Sequence, residues 1–184
     1  MSKKWMIASD LHGSAHYCRL LLERFEQEQA DRLIFLGDLL YHGPRNDLPM
    51  EYDTKAVTRL LNSVKDKLLC VKGNCDSEVD QMVLEFPVLA EYAVLPVGSR
   101  LCYLTHGHSY GPENPPPMAK GDLLLCGHIH VPVCDERDGY VYLNPGSVSL
   151  PKENTPHSYM TLEDGVFTWK DVTTGESYMT WDSK

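Results

Sequence analysis

The stretch Trp5-Met6-Ile7-Ala8-Ser9-Asp10-Leu11-His12-Gly13-Ser14 runs from apolar side chains into a carboxylate, an imidazole and a hydroxyl residue. Its apolar part, 5–9, reads as a strand. Ser14 suits the N-cap of a helix, because a short hydroxyl side chain can accept from a free amide of the first turn. Behind it Tyr17, Leu21 and Phe25 recur every four residues, with Cys18 and Leu22 beside them. A second strand is predicted at 32–36. After a loop over 37–52 that contains glycine and proline, Thr54 suits the cap of another helix. Val57, Leu60, Leu61 and Val64 lie on one face of that helix, and a third strand follows at 68–71. Strand, helix, strand, helix, strand predicts a parallel sheet with right-handed crossovers.

Farther along, the pattern changes. Short strand-like runs follow at 88–97, 100–105, 123–126, 131–137, 140–143, 158–163 and 166–172. Val97-Gly98-Ser99, Asp138-Gly139 and Asp164-Gly165 are turn signals that fold several of these runs into hairpins. The prediction is an α/β fold with two mixed β-sheets packed face to face and helices outside.

The chain has 184 residues, enough for one substantial core and short for two, so a single domain over 1–184 is expected. Apolar residues make up 42% and charged residues 23%, without low-complexity tracts or repeats, as in an ordinary globular protein. A formal net charge of −9 argues against a general binder of nucleic acids or membrane surfaces, which needs a positive field. No stable nucleic-acid or membrane partner is expected, and an anionic substrate has to be drawn by a local positive site. The beginning is basic, but its apolar run meets Asp10 too soon for a signal-peptide core or a spanning helix, so a cytoplasmic protein is expected. None of the six cysteines is in a CxxC pair, and Cys70, Cys102 and Cys126 lie in apolar runs, which favours buried free thiols.

Candidate chemistry gathers where strands end. Asp10 and His12, two residues apart, can project to one side of an extended segment and reach one ion. Gly37-Asp38 places a carboxylate beside a residue that permits close backbone approach. Gly73-Asn74-Cys75-Asp76 adds a neutral carbonyl oxygen in a tight loop. Thr105-His106-Gly107-His108 and Gly127-His128-Ile129-His130 hold four of the eight histidines. Taken singly, the Asp and Asn motifs read as turns. Histidines clustered at strand ends are hard to explain by packing, and the five loops together point to a two-metal hydrolase.

In order, Asp10/His12, Gly37-Asp38, Gly73-Asn74, His106 and Gly127-His128-x-His130 resemble the calcineurin-like metallophosphoesterase superfamily, whose motifs run D-x-H, G-D, G-N-H-[DE], H and G-H-x-H. The resemblance extends to Asn144-Pro145-Gly146-Ser147. That loop, Gly73-Asn74-Cys75-Asp76, His42-Gly43-Pro44-Arg45-Asn46 and the small size make the chain similar to the compact YfcE-type phosphodiesterases of bacteria and archaea. The resemblance implies a four-layer αββα sandwich with a dinuclear metal site at strand ends. It implies one ion held by Asp10, His12, Asp38 and His130. A second would be held by Asp38, Asn74, His106 and His128, with Asp38 and a hydroxide bridging the pair. Asp38, Asn74, Cys75 and Asp76 are the expected catalytic residues. Two divalent ions, two carboxylates and one hydroxide leave about +1, a match for one phosphate on an acidic protein. Mixed carboxylate, imidazole and amide donors suit Mn²⁺, with Fe, Ni and Zn as alternatives. The implied activity is hydrolysis of a small-molecule phosphodiester by in-line attack of the bridging hydroxide.

Cys75 departs from the family, where a histidine is usual. A thiol donates weakly, so the expectation is a preference for phosphodiesters with low-pKa leaving groups; the alternative is a merely tolerated small residue. Arg45 and His42 are candidate substrate contacts, or solvated loop residues. His108 is expected to hydrogen-bond a ligand, His16 and His157 to lie on the surface, and the proline-rich 112–117 loop to border the cleft. Rival functions are a phosphomonoesterase or nucleotidase on the same metals, and a non-catalytic trafficking scaffold of the same fold. Every ligand position holds a competent residue, which favours catalysis. Tyr178, Met179 and Trp181 near the terminus are expected to offer apolar surface for homo-oligomer formation.

Overall fold

The computed structural model describes residues 3–184 and begins its regular structure with β1 (Lys4–Ala8); Met1 and Ser2 of the basic beginning lie outside the described residues. Ser14 caps α1 (Ala15–Gln27), its Oγ accepting from the Tyr17 amide at 3.2 Å. β2 (Arg32–Phe35) follows, then α2 (Thr54–Asn62) and β3 (Leu68–Cys70). The cap of α2 is Asp53, not Thr54. Asp53 is extended at φ −147° and its carboxylate accepts from the Ala56 amide at 2.9 Å, whereas the Thr54 carbonyl already accepts from the Thr58 hydroxyl inside the helix.

After a four-residue helix, α3 (Glu78–Gln81), the chain forms β4 (Tyr92–Val97), β5 (Arg100–Thr105), β6 (Asp122–Leu125), β7 (Pro132–Arg137) and β8 (Tyr140–Pro145). It ends in β9 (Ser158–Glu163), β10 (Val166–Asp171) and β11 (Ser177–Asp182). The strand expected from 88 pairs only from Tyr92. Val88 packs instead with Leu84 and Phe86 into the core beside α1 and α2, and its amide donates to Gln81 Oε1 at 3.0 Å.

Two mixed sheets result, ordered β11-β10-β9-β1-β2-β3 and β4-β5-β6-β8-β7. β1, β2 and β3 are parallel to one another, as are β5, β6 and β8. Alternation along the strands fills the space between the sheets with Ile7, Ile34, Met160 and Trp169 from the first and Cys102, Leu104, Leu125 and Leu143 from the second. The opposite face of the first sheet packs Met6, Leu33 and Phe35 against Leu21 and Phe25 of α1 and Val57 and Leu61 of α2. Outside the second sheet lies a smaller cluster of Leu124, Cys126 and Tyr142, with Met118 from a long loop against it. Trp169 is fully buried and donates from Nε1 to the Asn144 carbonyl at 2.7 Å, joining one sheet to the other.

β11 completes the first sheet. Its Met179 and Trp181 turn onto the core between the sheets, while Tyr178 faces out and pairs its hydroxyl with Ser158. Much of the apolar surface expected there is therefore internal. All six cysteines are free, four of them buried, and no helix among the described residues is long and apolar enough to cross a membrane.

Candidate metal centre

The candidate residues leave the C-terminal ends of parallel strands, where the chain is freed from ladder hydrogen bonds. Asp10 and His12 follow β1, Asp38 follows β2 and Asn74 follows β3; His106 follows β5, and His128 and His130 follow β6. Both sheets thus feed one edge of the sandwich. Asp10, His12, Asp38, His128 and His130 take left-handed backbone angles, φ 48° to 72°, and make up half of the ten described non-glycine residues with positive φ. Such angles cost on the order of 1 kcal/mol each, and their concentration in one place marks a site selected for geometry over stability. Close approach is as demanding. A Cβ on Gly73 would stand 2.1 Å from Asp38 Oδ1, and one on Gly37 would stand 2.4 Å from the Gly73 amide nitrogen.

Asp10, His12 and His130 form the deep part of the cluster, at 0%, 1% and 3% exposure. His12 Nδ1–H donates to the Tyr41 carbonyl at 2.8 Å and His130 Nδ1–H to the Leu150 carbonyl at 2.7 Å. Those bonds leave both Nε2 atoms turned inward, 3.2 Å apart and 3.6 Å and 3.2 Å from Asp10 Oδ1. Asp10 Oδ1 is buried without a hydrogen-bond partner, although Oδ2 accepts from the His128 amide at 3.0 Å. A lone buried carboxylate oxygen facing two imidazole nitrogens is a donor set that fits a divalent cation.

A second set lies nearer the surface. His106 Nδ1–H donates to the Leu36 carbonyl at 2.6 Å, which turns Nε2 to within 3.0 Å of Asn74 Oδ1 and 3.2 Å of His128 Nδ1. Asp38 joins the sets, since its Oδ2 is 3.6 Å from His12 Nε2 and 3.4 Å from His106 Nε2. Its Oδ1 is held by the Cys75 amide at 2.8 Å. The seven residues expected as ligands therefore converge, in two groups sharing Asp38.

Charge in the cluster follows from this crowding. Burial opposes ionisation of Asp10, but the imidazoles of His12 and His130 beside it and the charge of His106 hold it well below the usual carboxylate range. Asp38 is lowered against burial by the His106 hydrogen bond and charge. His106 in turn rises to about 9, because Asp38 and Asp10 outweigh its burial, and His12 is raised by Asp10. His128 is lowered by burial and then by His106. Burial and the Asp38 carboxylate push the Cys75 thiol up to about 12, so it stays protonated at neutral pH.

A cavity of about 460 Å³ opens onto the cluster, lined by Asp38, Asn74, Cys75, His128 and His130 together with Arg45 and Lys152. Asp76, expected to be catalytic, is placed elsewhere. Its buried carboxylate accepts from the amides of Asp38 (2.8 Å), Leu39 (2.9 Å) and Gly73 (2.8 Å), so it locks two ligand loops together and does not face the cavity. His42 also misses the cavity, its ring packed edge-on against Tyr41 and Tyr52. His108 stands edge-on to His106 with ring centroids 5.4 Å apart, and lines a neighbouring cavity of about 230 Å³ with Lys72, Glu91 and Ser109. His157 is not a free surface group: it stacks on Tyr17 at 4.0 Å, accepts from the Tyr17 hydroxyl and donates to the Val148 carbonyl. His16 is partly covered and sits 3.6 Å from Glu51.

Sequence reading missed three supports. Ser147 and Ser149 donate to the Asp10 carbonyl at 2.8 Å and 3.2 Å, and Asn144 donates to the Gly127 carbonyl at 2.7 Å, so the Asn144-Pro145-Gly146-Ser147 loop braces both ends of the centre. Lys152 was missed because nothing near it in the chain carries chemistry.

Residues 4–164 match the family model of the calcineurin-like phosphoesterase superfamily domain. The phosphodiesterase YfcE of Escherichia coli K12 is 47% identical over 163 residues, covering 89% of each chain. A solved structure described as YfcE, a phosphoesterase from E. coli, superposes with a TM-score of 0.94 at 42% identity, covering 98% of this chain and all of the other. The zinc complex of Vps29 from Entamoeba histolytica shares the fold at a TM-score of 0.60 and 20% identity, covering 98% of this chain and 99% of that one.

Proposed function

Because this chain belongs to the calcineurin-like phosphoesterase superfamily, we propose that it is a metal-dependent phosphodiesterase hydrolysing a small-molecule phosphodiester at the Asp10–His130 centre. The observation that carries this reading is the pair of donor sets sharing Asp38 Oδ2, which lies 3.6 Å from His12 Nε2 and 3.4 Å from His106 Nε2. A pair of divalent ions held there would supply a hydroxide nucleophile near neutral pH and polarise the phosphoryl oxygens. The chain's own part is to hold the donors still. Backbone carbonyls fix the rings of His12, His106 and His130, the Cys75 amide fixes Asp38, and Asp76 ties the Asp38 loop to the Asn74 loop. Manganese is the proposed metal, from the mixed oxygen and nitrogen donors.

Cys75 borders the cavity with a neutral thiol that already accepts from Asn74 Nδ2 at 3.3 Å. So weak a donor gives an alkoxide leaving group little help, and esters that depart without protonation are favoured. The test is to strip the purified protein with chelator, restore Mn²⁺, and compare bis-p-nitrophenyl phosphate with p-nitrophenyl phosphate. Mn²⁺-dependent cleavage mainly of the diester is expected, and Cys75→His should widen the range of leaving groups. A monoester preference overturns the diesterase reading; no turnover of either ester with metal bound favours the scaffold.

A further inference from the structure

Arg45 and Lys152 come from loops far apart in the chain, yet both border the cavity over the metal centre. Neither position is left to chance. The Arg45 loop is closed by Asn46, whose amide donates to the Gly43 carbonyl and whose Nδ2 donates to the His42 carbonyl at 2.8 Å. Lys152 is registered to the centre itself, since its amide donates to the His130 carbonyl at 3.1 Å and its carbonyl is held by both the amide and the hydroxyl of Thr155. Among the described residues, neither cation is within ion-pairing distance of a carboxylate, in a chain with 26 acidic residues and 17 basic ones.

Charge then points to the ligand. Two divalent ions with two carboxylates and one hydroxide leave about +1, which the single negative charge of a diester phosphate already matches. Arg45 and Lys152 add two positive charges at the exposed rim, above a floor where Asp38 and His130 are buried. An uncharged ester arm would leave both without a partner. We propose that Arg45 and Lys152 form a second anion subsite, and that the preferred substrate is a phosphodiester with a further phosphate on one ester arm. Guanidinium and ammonium groups bind phosphate through charge-assisted hydrogen bonds, and a cavity of about 460 Å³ has room for a nucleotide-sized arm.

The proposal rests on the phosphodiesterase reading, and the experiment separates the two. Manganese-loaded protein is titrated calorimetrically with thymidine 5′-monophosphate and with thymidine 3′,5′-bisphosphate, while turnover of bis-p-nitrophenyl phosphate is followed on the same preparation. The bisphosphate should bind about tenfold tighter, the yield of one well-made charged contact. In the Arg45→Gln/Lys152→Gln double variant the two affinities should come within about twofold, and Arg45→Lys/Lys152→Arg should restore the difference. Equal affinities in the wild type, or a preference that survives the double Gln variant, overturns the second subsite whether or not the diester turns over. A preference abolished by the double variant, without diester turnover, keeps the subsite and overturns the catalytic reading alone.

Discussion

The deep and outer halves of the centre are built to different standards. Asp10, His12 and His130 are almost fully buried and strained into left-handed backbone, the two rings fixed by carbonyls of surrounding loops and the carboxylate by the His128 amide. Asn74 is exposed, and His128 and Cys75 are only half covered. The inner donors are thus in place before any ion arrives, whereas in the outer set His106 alone is as firmly held, by the Leu36 carbonyl, and the less covered Asn74 and His128 have freedom to lose on binding. Preorganisation favours affinity because less ordering has to be supplied at the moment of binding. Two unequal metal sites are the expected result, a tight inner one and a weaker outer one sharing Asp38.

Asp10→Ala attacks that contrast at its strong end. It removes the buried carboxylate and the acceptor of the His128 amide, so diester turnover should fall by about a thousandfold or more and the tight Mn²⁺ event should vanish from a calorimetric titration. Retention of the tight event would mean that the inner set is not the anchor. Asn74→Ala touches only the outer half. The tight event should persist while the weak one loses at least about 10–100-fold in affinity, the range already seen when a mere supporting partner of a ligand is lost; equal loss in both events would erase the distinction between the halves.

The smallest effect concerns the metal-free protein, where protons on the histidines stand in for cations. His106 rises in the folded state to about 9 from an unfolded value of about 6.5. Its contribution to stability is therefore complete below about pH 6.5 and disappears as pH rises through about 9. Chelated protein should lose a few degrees of melting temperature across that window, about 2–4 °C per kcal/mol for a chain of this size. Protein saturated with Mn²⁺ should lose less, because the ions replace the protons. A flat profile for the chelated protein would show that His106 and Asp38 are not coupled as their 3.4 Å separation implies.

What the sequence made legible depended on how local the signal is. The first strands and the Ser14 cap are written in neighbouring residues and stand where the pattern predicted them; the Asp10/His12 and His128/His130 pairs do follow strands, but Asp10 and His12 converge from left-handed backbone, φ 58° and 48°, and not from the extended segment their spacing suggests. Asp53 and Thr54 are both good caps, and only the extended backbone at Asp53 chooses between them. The apolar run at 88–90 satisfies strand patterning but goes to a core under two helices, a tertiary preference that alternation does not reveal. α3 is a single turn, too short for any periodicity. In the centre, Asp76 is expected to be catalytic as part of Gly73-Asn74-Cys75-Asp76, and nothing local in that motif shows that its carboxylate is taken up by three backbone amides. Lys152 was invisible for the opposite reason: the wrap of its loop around His130 brings it to the cavity.

The gathering of donors from both sheets also bears on how the chain holds together. His12 and His130 are 118 residues apart in sequence, and their ring nitrogens stand 3.2 Å apart across the seam between the sheets. An ion shared by them would close a very long loop, and the entropy of that closure is withdrawn from the unfolded chain as with any distant cross-link. The catalytic metal would then double as a removable staple. Enzyme made under metal starvation would keep its inner donors in place but lose that restraint on opening, so metal supply would bear on the protein's lifetime as well as its rate.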